Sequence, residues 1–231
     1  MILGTGMLAK AFACYKEQKN ILIYAQGVSN SQEKDEDNFE RELNSLQLAI
    51  AENNEKLIVY FGTCSVHDPE SKRTPYVIHK LNMEKLVEES GLDYYIFRLP
   101  QVVGKTTSPT LINFLCEKIR NGEAFDVWKN STRYLLDVDD CYKICSYLID
   151  NNILKNTIVN VATQRSIGIV NIVNEIEFFL QRKAIYNLVD KGSSYSINIA
   201  DILPHLKSCQ ISYQEDGYLT MLLNKYYETE Q

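Results

Sequence analysis

The feature that most restricts how this chain can fold is a rhythm. Short β-rich apolar runs at Met1–Leu3, Ile21–Ala25, Leu57–Phe61 and Tyr94–Leu99 are separated by longer segments whose apolar residues recur at helical spacing. Runs that are apolar on both faces and joined by helices read as parallel strands sandwiched between helical layers. The stretch from Thr74 to Gly91 predicts one of those helices: Thr74 caps it, Pro75 fits the first turn and Gly91 suits a left-handed stop. Leu81, Met83 and Val87 are expected on its buried side.

The chain has 231 residues, enough to bury a substantial core without metal or disulfide staples. Its 24 Lys and Arg against 30 Asp and Glu give a net charge of −6, and no basic patch stands out, which argues against nucleic acid as the main partner. Six cysteines form no CxxC pair and most of them lie far from the three histidines, so no metal site is expected and the reading is a reduced, cytoplasmic protein. Cys141 and Cys145, four apart on a helix, are read as one buried face. No apolar run is long enough to span a membrane, and MILGTGMLAKAF lacks the marks of a signal peptide.

After Gly104 the rhythm changes. Helices are expected at Thr110–Arg120, Asp139–Ile149 and Ile167–Leu180, short strands at Phe125–Trp128, Tyr134–Val138 and Thr157–Val161, and a final helix at Tyr218–Tyr227. The charged run Gln32–Asp37 reads as a solvated loop leading to a helix near Asn38, and Trp128 as a packing residue of the core or of a lobe.

Two constellations carry chemistry. Gly4-Thr5-Gly6-Met7-Leu8-Ala9 follows the first strand and opens a helix; such glycines let the backbone turn tightly and approach a pyrophosphate. An acid is expected about 20 residues further on to hold an adenosine ribose. That neighbourhood reads Ile23-Tyr24-Ala25-Gln26-Gly27-Val28, with neither carboxylate nor arginine, so NAD and NADP stay undistinguished. The second constellation is Thr63 with Tyr76-x-x-x-Lys80. One helical turn brings the phenol and the ammonium onto one face, where a cation favours the phenolate and proton exchange with a substrate oxygen. Thr63, at a strand end, is placed to polarise the same oxygen, and a hydride carrier would complete carbonyl reduction or alcohol oxidation.

In order along the chain, GTGMLA, YFGTCSVHDP, Tyr76-Val-Ile-His-Lys80, FRLPQVVG, the stretch Arg133–Asp140 and IVNVAT resemble the NAD-dependent epimerase/dehydratase group of extended short-chain dehydrogenases/reductases. The resemblance implies an α/β fold: a Rossmann-like parallel sheet, here with fewer strands than usual, plus a small C-terminal substrate lobe. It divides the chain into a core of about 1–104 plus 132–163 and a lobe of about 105–131 plus 164–231. It implies a catalytic triad of Thr63, Tyr76 and Lys80. An NAD or NADP cofactor would be held by Gly4, Thr5, Gly6, Met7, Leu8, Ala25, Gln26, Gly27, Tyr76, Lys80, Pro100 and Val102. A nucleotide-sugar substrate would meet Ser65, Asn113 and Arg133. It also implies a homodimer formed through the helices near Asn38 and Pro75, and a role in bacterial surface polysaccharide synthesis.

The chain departs from that pattern in two ways. Only two strands fit between Gly6 and Tyr76, so one strand-helix-strand segment, the part that usually grips the adenosine, is missing, and the loop from Thr63 to Tyr76 is short. Epimerase-reductases similar to GDP-fucose synthase carry a cysteine two positions after the triad Ser/Thr; here that place is Ser65, which disfavours thiol-dependent epimerisation. What remains expected is reduction or 4-epimerisation at a carbon of a nucleotide-linked sugar. The alternative is a non-catalytic nucleotide-sugar-binding or regulatory protein that has lost the dinucleotide.

Overall fold

The structure is a computed structural model that describes residues 1–211 and 217–228. Its N-terminal half alternates strand and helix: Ile2–Leu3 (β1), Met7–Ala11 (α1), Ile21–Tyr24 (β2), Glu36–Glu52 (α2), Leu57–Thr63 (β3), Pro75–Glu88 (α3), Tyr94–Leu99 (β4) and Gln101–Val103 (β5). Then come Leu111–Asn121 (α4), Phe125–Trp128 (β6), Thr132–Arg133 (β7), Leu135–Asp137 (β8), Val138–Asp150 (α5) and Thr157–Asn160 (β9). The last elements are Ile167–Gly168 (β10), Ile169–Leu180 (α6), Tyr186–Val189 (β11) and Tyr218–Tyr227 (α7).

Five strands form one sheet in the order β1-β2-β3-β4-β9, and every neighbouring pair is parallel. Alternate side chains divide cleanly between two layers, as the period of a strand requires. Leu22, Tyr24, Ile58, Tyr60 and Ile96 pack against Leu46 and Ala49 of α2 and Met83 and Val87 of α3. Ile21, Ile23, Val59, Phe61, Tyr95 and Phe97 face the opposite way, toward Phe12 and Tyr15, toward Ile144 and Leu148 of α5, and toward Ile199 and Ile202. A separate apolar cluster joins α4, α6 and α7 with β6 through residues such as Ile119, Val127, Ile176 and Leu222.

This layering fixes the hand of the connections. Steps from β1 to β2 and from β2 to β3 move the same way across the sheet, yet the first passes through α1 on one layer and the second through α2 on the other. Connections that step alike on opposite faces have opposite hands, so the first breaks with the two that follow, although one hand strongly dominates in such units. β1 is thereby a rim strand. α1 is only five residues long and gives way to a 3-10 turn at Ala13–Glu17.

Local chemistry explains the element ends. Thr74 caps α3, its hydroxyl accepting from the Val77 amide, and Pro75 opens the first turn. Asp137 caps α5 in the same way through Asp139. The acidic run expected to be loop enters α2 two residues early: Asp35 caps, and Glu36 and Asp37 occupy the first turn, where the helix dipole favours negative charge. Two packing expectations are corrected. Leu81 is 39% exposed because the inward stripe of α3 runs through residues 76, 80, 83, 84 and 87, and Trp128 is 43% exposed because it alternates outward on β6.

Candidate active site

Thr63 ends β3 and caps the following 3-10 turn, its Oγ1 accepting from the Ser65 amide at 3.1 Å. Tyr76, in the first turn of α3, is buried against Val28, Val77, Phe39 and Val66. Burial pushes the Tyr76 phenol up to about 12, while its hydrogen bond with Thr63 pulls the other way and the charge of Glu42 adds to the rise. Thr63 and Tyr76 therefore do meet where the short loop after β3 returns to α3.

Lys80 lies one turn further and is 3% exposed. Its Nζ donates to Glu42 Oε1 at 3.0 Å and to the Tyr60 hydroxyl at 3.0 Å. Glu42 projects from α2 and is itself 2% exposed. Tyr60 donates to the same Oε1 at 2.8 Å, and Oε2 accepts from the Val28 amide at 2.6 Å and from His79 Nε2 at 3.0 Å. Burial alone would raise the Glu42 carboxyl; His79, the Lys80 charge, the Val28 amide and Tyr60 overcome this and hold it at about 2. Burial in turn lowers Lys80, against the pull of Glu42. His79 stacks on Phe39 with ring centres 4.6 Å apart, closing the far side.

The roof of this pair is Gly27, where a Cβ would lie 2.5 Å from Glu42 Oε1 and 2.7 Å from Lys80 Nζ. Ala25 and Gln26 precede it, half-buried and exposed, with the Gln26 amide bonded to Ser45. The ammonium of Lys80 is thus enclosed by Gly27, Glu42 and Tyr60.

The glycine turn sits at the rim. Gly4 has φ +122° and presses on the Ala25 carbonyl, so only glycine serves there. Gly6 differs: a Cβ placed on it meets nothing within 4 Å. Thr5, Gly6 and Met7 open onto a cleft of about 680 Å³ whose far wall carries Lys105, Asn113 and Arg120, with Tyr226 and Tyr227 of α7. Lys10 stands at its edge. Leu8 turns inward to the core beneath α5. Open backbone at Gly6 beside two lysines and an arginine fits the diphosphate of a dinucleotide or a nucleotide sugar.

The remaining expected residues are dispersed. Asn113 spends its amide on the protein: Nδ2 donates to the carbonyls of Thr106 and Ser108 at 3.0 and 2.8 Å, and Oδ1 accepts from Tyr227 at 2.5 Å. Arg133 lies on β7 and donates to the Thr132 carbonyl at 2.7 Å; neither it nor Ser65 lines the cleft at the glycine turn. Pro100, which joins β4 to β5, and Val102, within β5, are both half-buried, with Val102 against the core. Cys64, beside Thr63, is buried and donates to the Arg98 carbonyl at 3.2 Å, and burial raises its thiol. Arg98 pairs with buried Glu84 at 2.6 Å. Among the described residues no cluster of three His, Cys, Asp or Glu is arranged to hold a metal ion, and no helix is long and apolar enough to cross a membrane.

Sequence reasoning missed Glu42, Tyr60, Tyr226 and Tyr227. One signal for Glu42 was present: it shares the buried stripe of α2 with Leu46 and Ala49, where a carboxylate needs partners.

The profile of the NAD dependent epimerase/dehydratase family matches residues 8–162. Curated proteins give no match to this sequence. Among solved structures, the UDP-N-acetylglucosamine 4-epimerase of Methanobrevibacter ruminantium M1, in complex with UDP-N-acetylmuramic acid, aligns at 18% identity with a TM-score of 0.66, over 93% of this chain and 77% of that one. The UDP-glucose 4-epimerase of Thermus thermophilus in complex with NAD aligns at 14% identity and TM-score 0.70, over 96% of this chain and 83% of that one. RMD from Pseudomonas aeruginosa, complexed with NADPH, gives 14% identity and 0.67, over 84% and 88%. At such identities the likeness is one of fold.

Proposed function

Because this chain belongs to the NAD dependent epimerase/dehydratase family, we propose that it is an enzyme that binds a nucleotide-linked sugar and performs reduction or 4-epimerisation at a sugar carbon with NAD or NADP. The observation that carries this reading is the pairing of Thr63 with Tyr76 at the end of β3, in the same parallel sheet as the open glycine turn. Fold neighbours that bind nucleotide sugars, NAD or NADPH support it.

In this reading the diphosphate lies against the backbone of Thr5, Gly6 and Met7, opposed by Lys10 and Lys105. A bound nicotinamide dinucleotide supplies hydride transfer. Thr63 orients the reacting sugar oxygen by hydrogen bonding, and Tyr76 exchanges a proton with that oxygen. Asn113 serves as a positioning residue, holding the 106–108 loop to Tyr227 at the cleft wall. A homodimer through α2 and α3, where Leu48, Ile78 and Leu81 stand exposed, a cytoplasmic setting and a role in surface polysaccharide synthesis belong to the same proposal.

The test is turnover. The full chain is incubated with UDP- and GDP-linked sugars and each dinucleotide, and C4 epimers or reduced sugars are sought by proton NMR. Product that disappears in Tyr76→Phe, with nucleotide-sugar binding kept, is the expected result. A second reading, a non-catalytic nucleotide-sugar binder, is favoured by one observation: Lys80 is sealed against Glu42. Binding of nucleotide sugar together with no binding of NADH or NADPH at millimolar concentration would select it.

A further inference from the structure

One carboxylate fastens the far wall of the cleft. Asp137, at the end of β8, is 2% exposed and does not itself line the cleft. Its Oδ1 accepts from the Asp139 amide at 2.9 Å and from the Tyr226 hydroxyl at 2.6 Å, and its Oδ2 accepts from Lys225 Nζ at 2.6 Å. Lys225 reaches Asp139 as well, at 2.7 Å. At the other end of α7 the Tyr218 hydroxyl accepts from the Asp137 amide and donates to Asp140, each at 2.9 Å. Burial alone would lower the Lys225 ammonium, but its hydrogen bonds to Asp137 and Asp139 raise it, so the cation is kept.

These contacts decide where the last turn of α7 lies. The leucines that α7 buries, Leu219, Leu222 and Leu223, all precede that turn, and ten residues make too short a helix to hold its shape in water alone. The last turn carries the cleft wall. Tyr227 donates its hydroxyl to Asn113 Oδ1 at 2.5 Å, its carbonyl accepts from Arg120 at 2.8 Å, and all three line the cleft with Tyr226. The near wall starts from the same point. Val138, next to Asp137, packs on Gly104, and so does Met7 of the glycine turn: a Cβ on Gly104 would lie 2.7 Å from Val138 Cγ1 and 2.7 Å from Met7 Sδ. We propose that Asp137 is a positioning residue of the cleft: by holding the last turn of α7 through Lys225 and Tyr226, it sets the spacing between Tyr227, Asn113 and Arg120 on one wall and Gly6 on the other, and so the affinity for a nucleoside diphosphate that it does not touch. The inference rests on the reading that this cleft takes such a diphosphate.

The experiment titrates the full chain calorimetrically with ADP, for the dinucleotide source, and with UDP and GDP, for the sugar-nucleotide source. Urea unfolding and hydrogen exchange of the α7 amides accompany it. The wild-type protein is expected to bind at least one probe at millimolar concentration or below, and the bound probe to slow exchange in α7, because coupling is reciprocal. Lys225→Met is expected to speed that exchange and to weaken binding at least roughly tenfold, with a nearly unchanged urea midpoint. Lys225→Arg, which keeps the charge, is expected to bind within about threefold of wild type. Where Lys225→Met does not fold, Asp137→Asn/Lys225→Met removes both charges and keeps an acceptor for the Asp139 amide, and the same weakening is expected. Unchanged affinity in the folded variant overturns the proposal and leaves the reading of the cleft standing. So does a loss of affinity that Lys225→Arg fails to restore, or α7 exchange that does not respond to Lys225→Met. A wild-type protein that binds none of the three probes overturns the reading of the cleft and the proposal with it.

Discussion

The Cα of Gly27 stands directly over Glu42, so near that a methyl group there would lie 2.5 Å from the carboxylate oxygen Oε1. That contact joins the loop after β2 to the buried pair of α2 and α3. Gly27→Ala must therefore displace either backbone or a buried ion pair, neither of which is the free end of a flexible chain. A loss of about 2 kcal/mol is expected, the usual scale of overpacking, read as a shift of the urea midpoint.

Gly6 makes the opposite prediction. A Cβ at Gly6 enters open space, so Gly6→Ala should change stability by less than about 1 kcal/mol. The methyl group nevertheless projects toward the cleft and blocks close approach to the backbone. Calorimetric titration with NADH is expected to show affinity reduced at least roughly tenfold, about 1.4 kcal/mol, with the urea midpoint nearly unchanged. A bound dinucleotide indifferent to this substitution would place its diphosphate elsewhere.

Acid stability reports on Glu42. Its carboxyl is held at about 2 in the folded chain against 4.5 as the ordinary value, so its contribution is complete above about pH 4.5 and is lost as pH falls through about 2. The difference corresponds to about 3 kcal/mol. Urea unfolding followed between pH 6 and pH 2 should show this decline, and Glu42→Gln should lack that part of the slope.

Arg98 and Glu84 form the second closed pair. Both Arg98 Nε and Nη2 donate to the Glu84 carboxylate, whose side chain is 2% exposed. Arg98→Met leaves a buried carboxylate without its cation, and a loss of about 3–5 kcal/mol is expected in chemical denaturation. Adding Glu84→Gln should restore part of it. Full additivity of the two substitutions would argue against the pairing.

Much of this fold was legible because its determinants are local. Thr74, Pro75 and the apolar runs at 57–61 and 94–99 specify their elements through capping and β-rich composition, and the strands appear within a residue or two of the expected places. The glycine turn was readable because Gly4 answers to a backbone requirement that a sequence displays openly. Pair formation across the sheet is different. Glu42 reads as one more charge on a largely solvated helix, and nothing local announces that Tyr60, His79 and Lys80 all converge on it from two other elements. Likewise, Asn113 looks like a ligand residue in isolation, whereas its amide is taken up by the carbonyls of Thr106 and Ser108 in the preceding loop and by Tyr227, which becomes a neighbour only when α7 docks.

The reversed first connection bears on where a ligand can lodge at all. In open α/β sheets a crevice forms where the loops leaving two adjacent strands diverge to opposite sides, usually because the strand order turns back on itself. Here the strand order runs straight from rim to rim and offers no such reversal. The change of hand restores the divergence: the chain leaves β1 toward one layer and β2 toward the other, splitting at Gly4 and Ala25. Had α1 crossed on the same side as α2, both loops would leave the sheet into one layer, and α1 would not stand beside α5 on the face that leads to the cleft at Gly6.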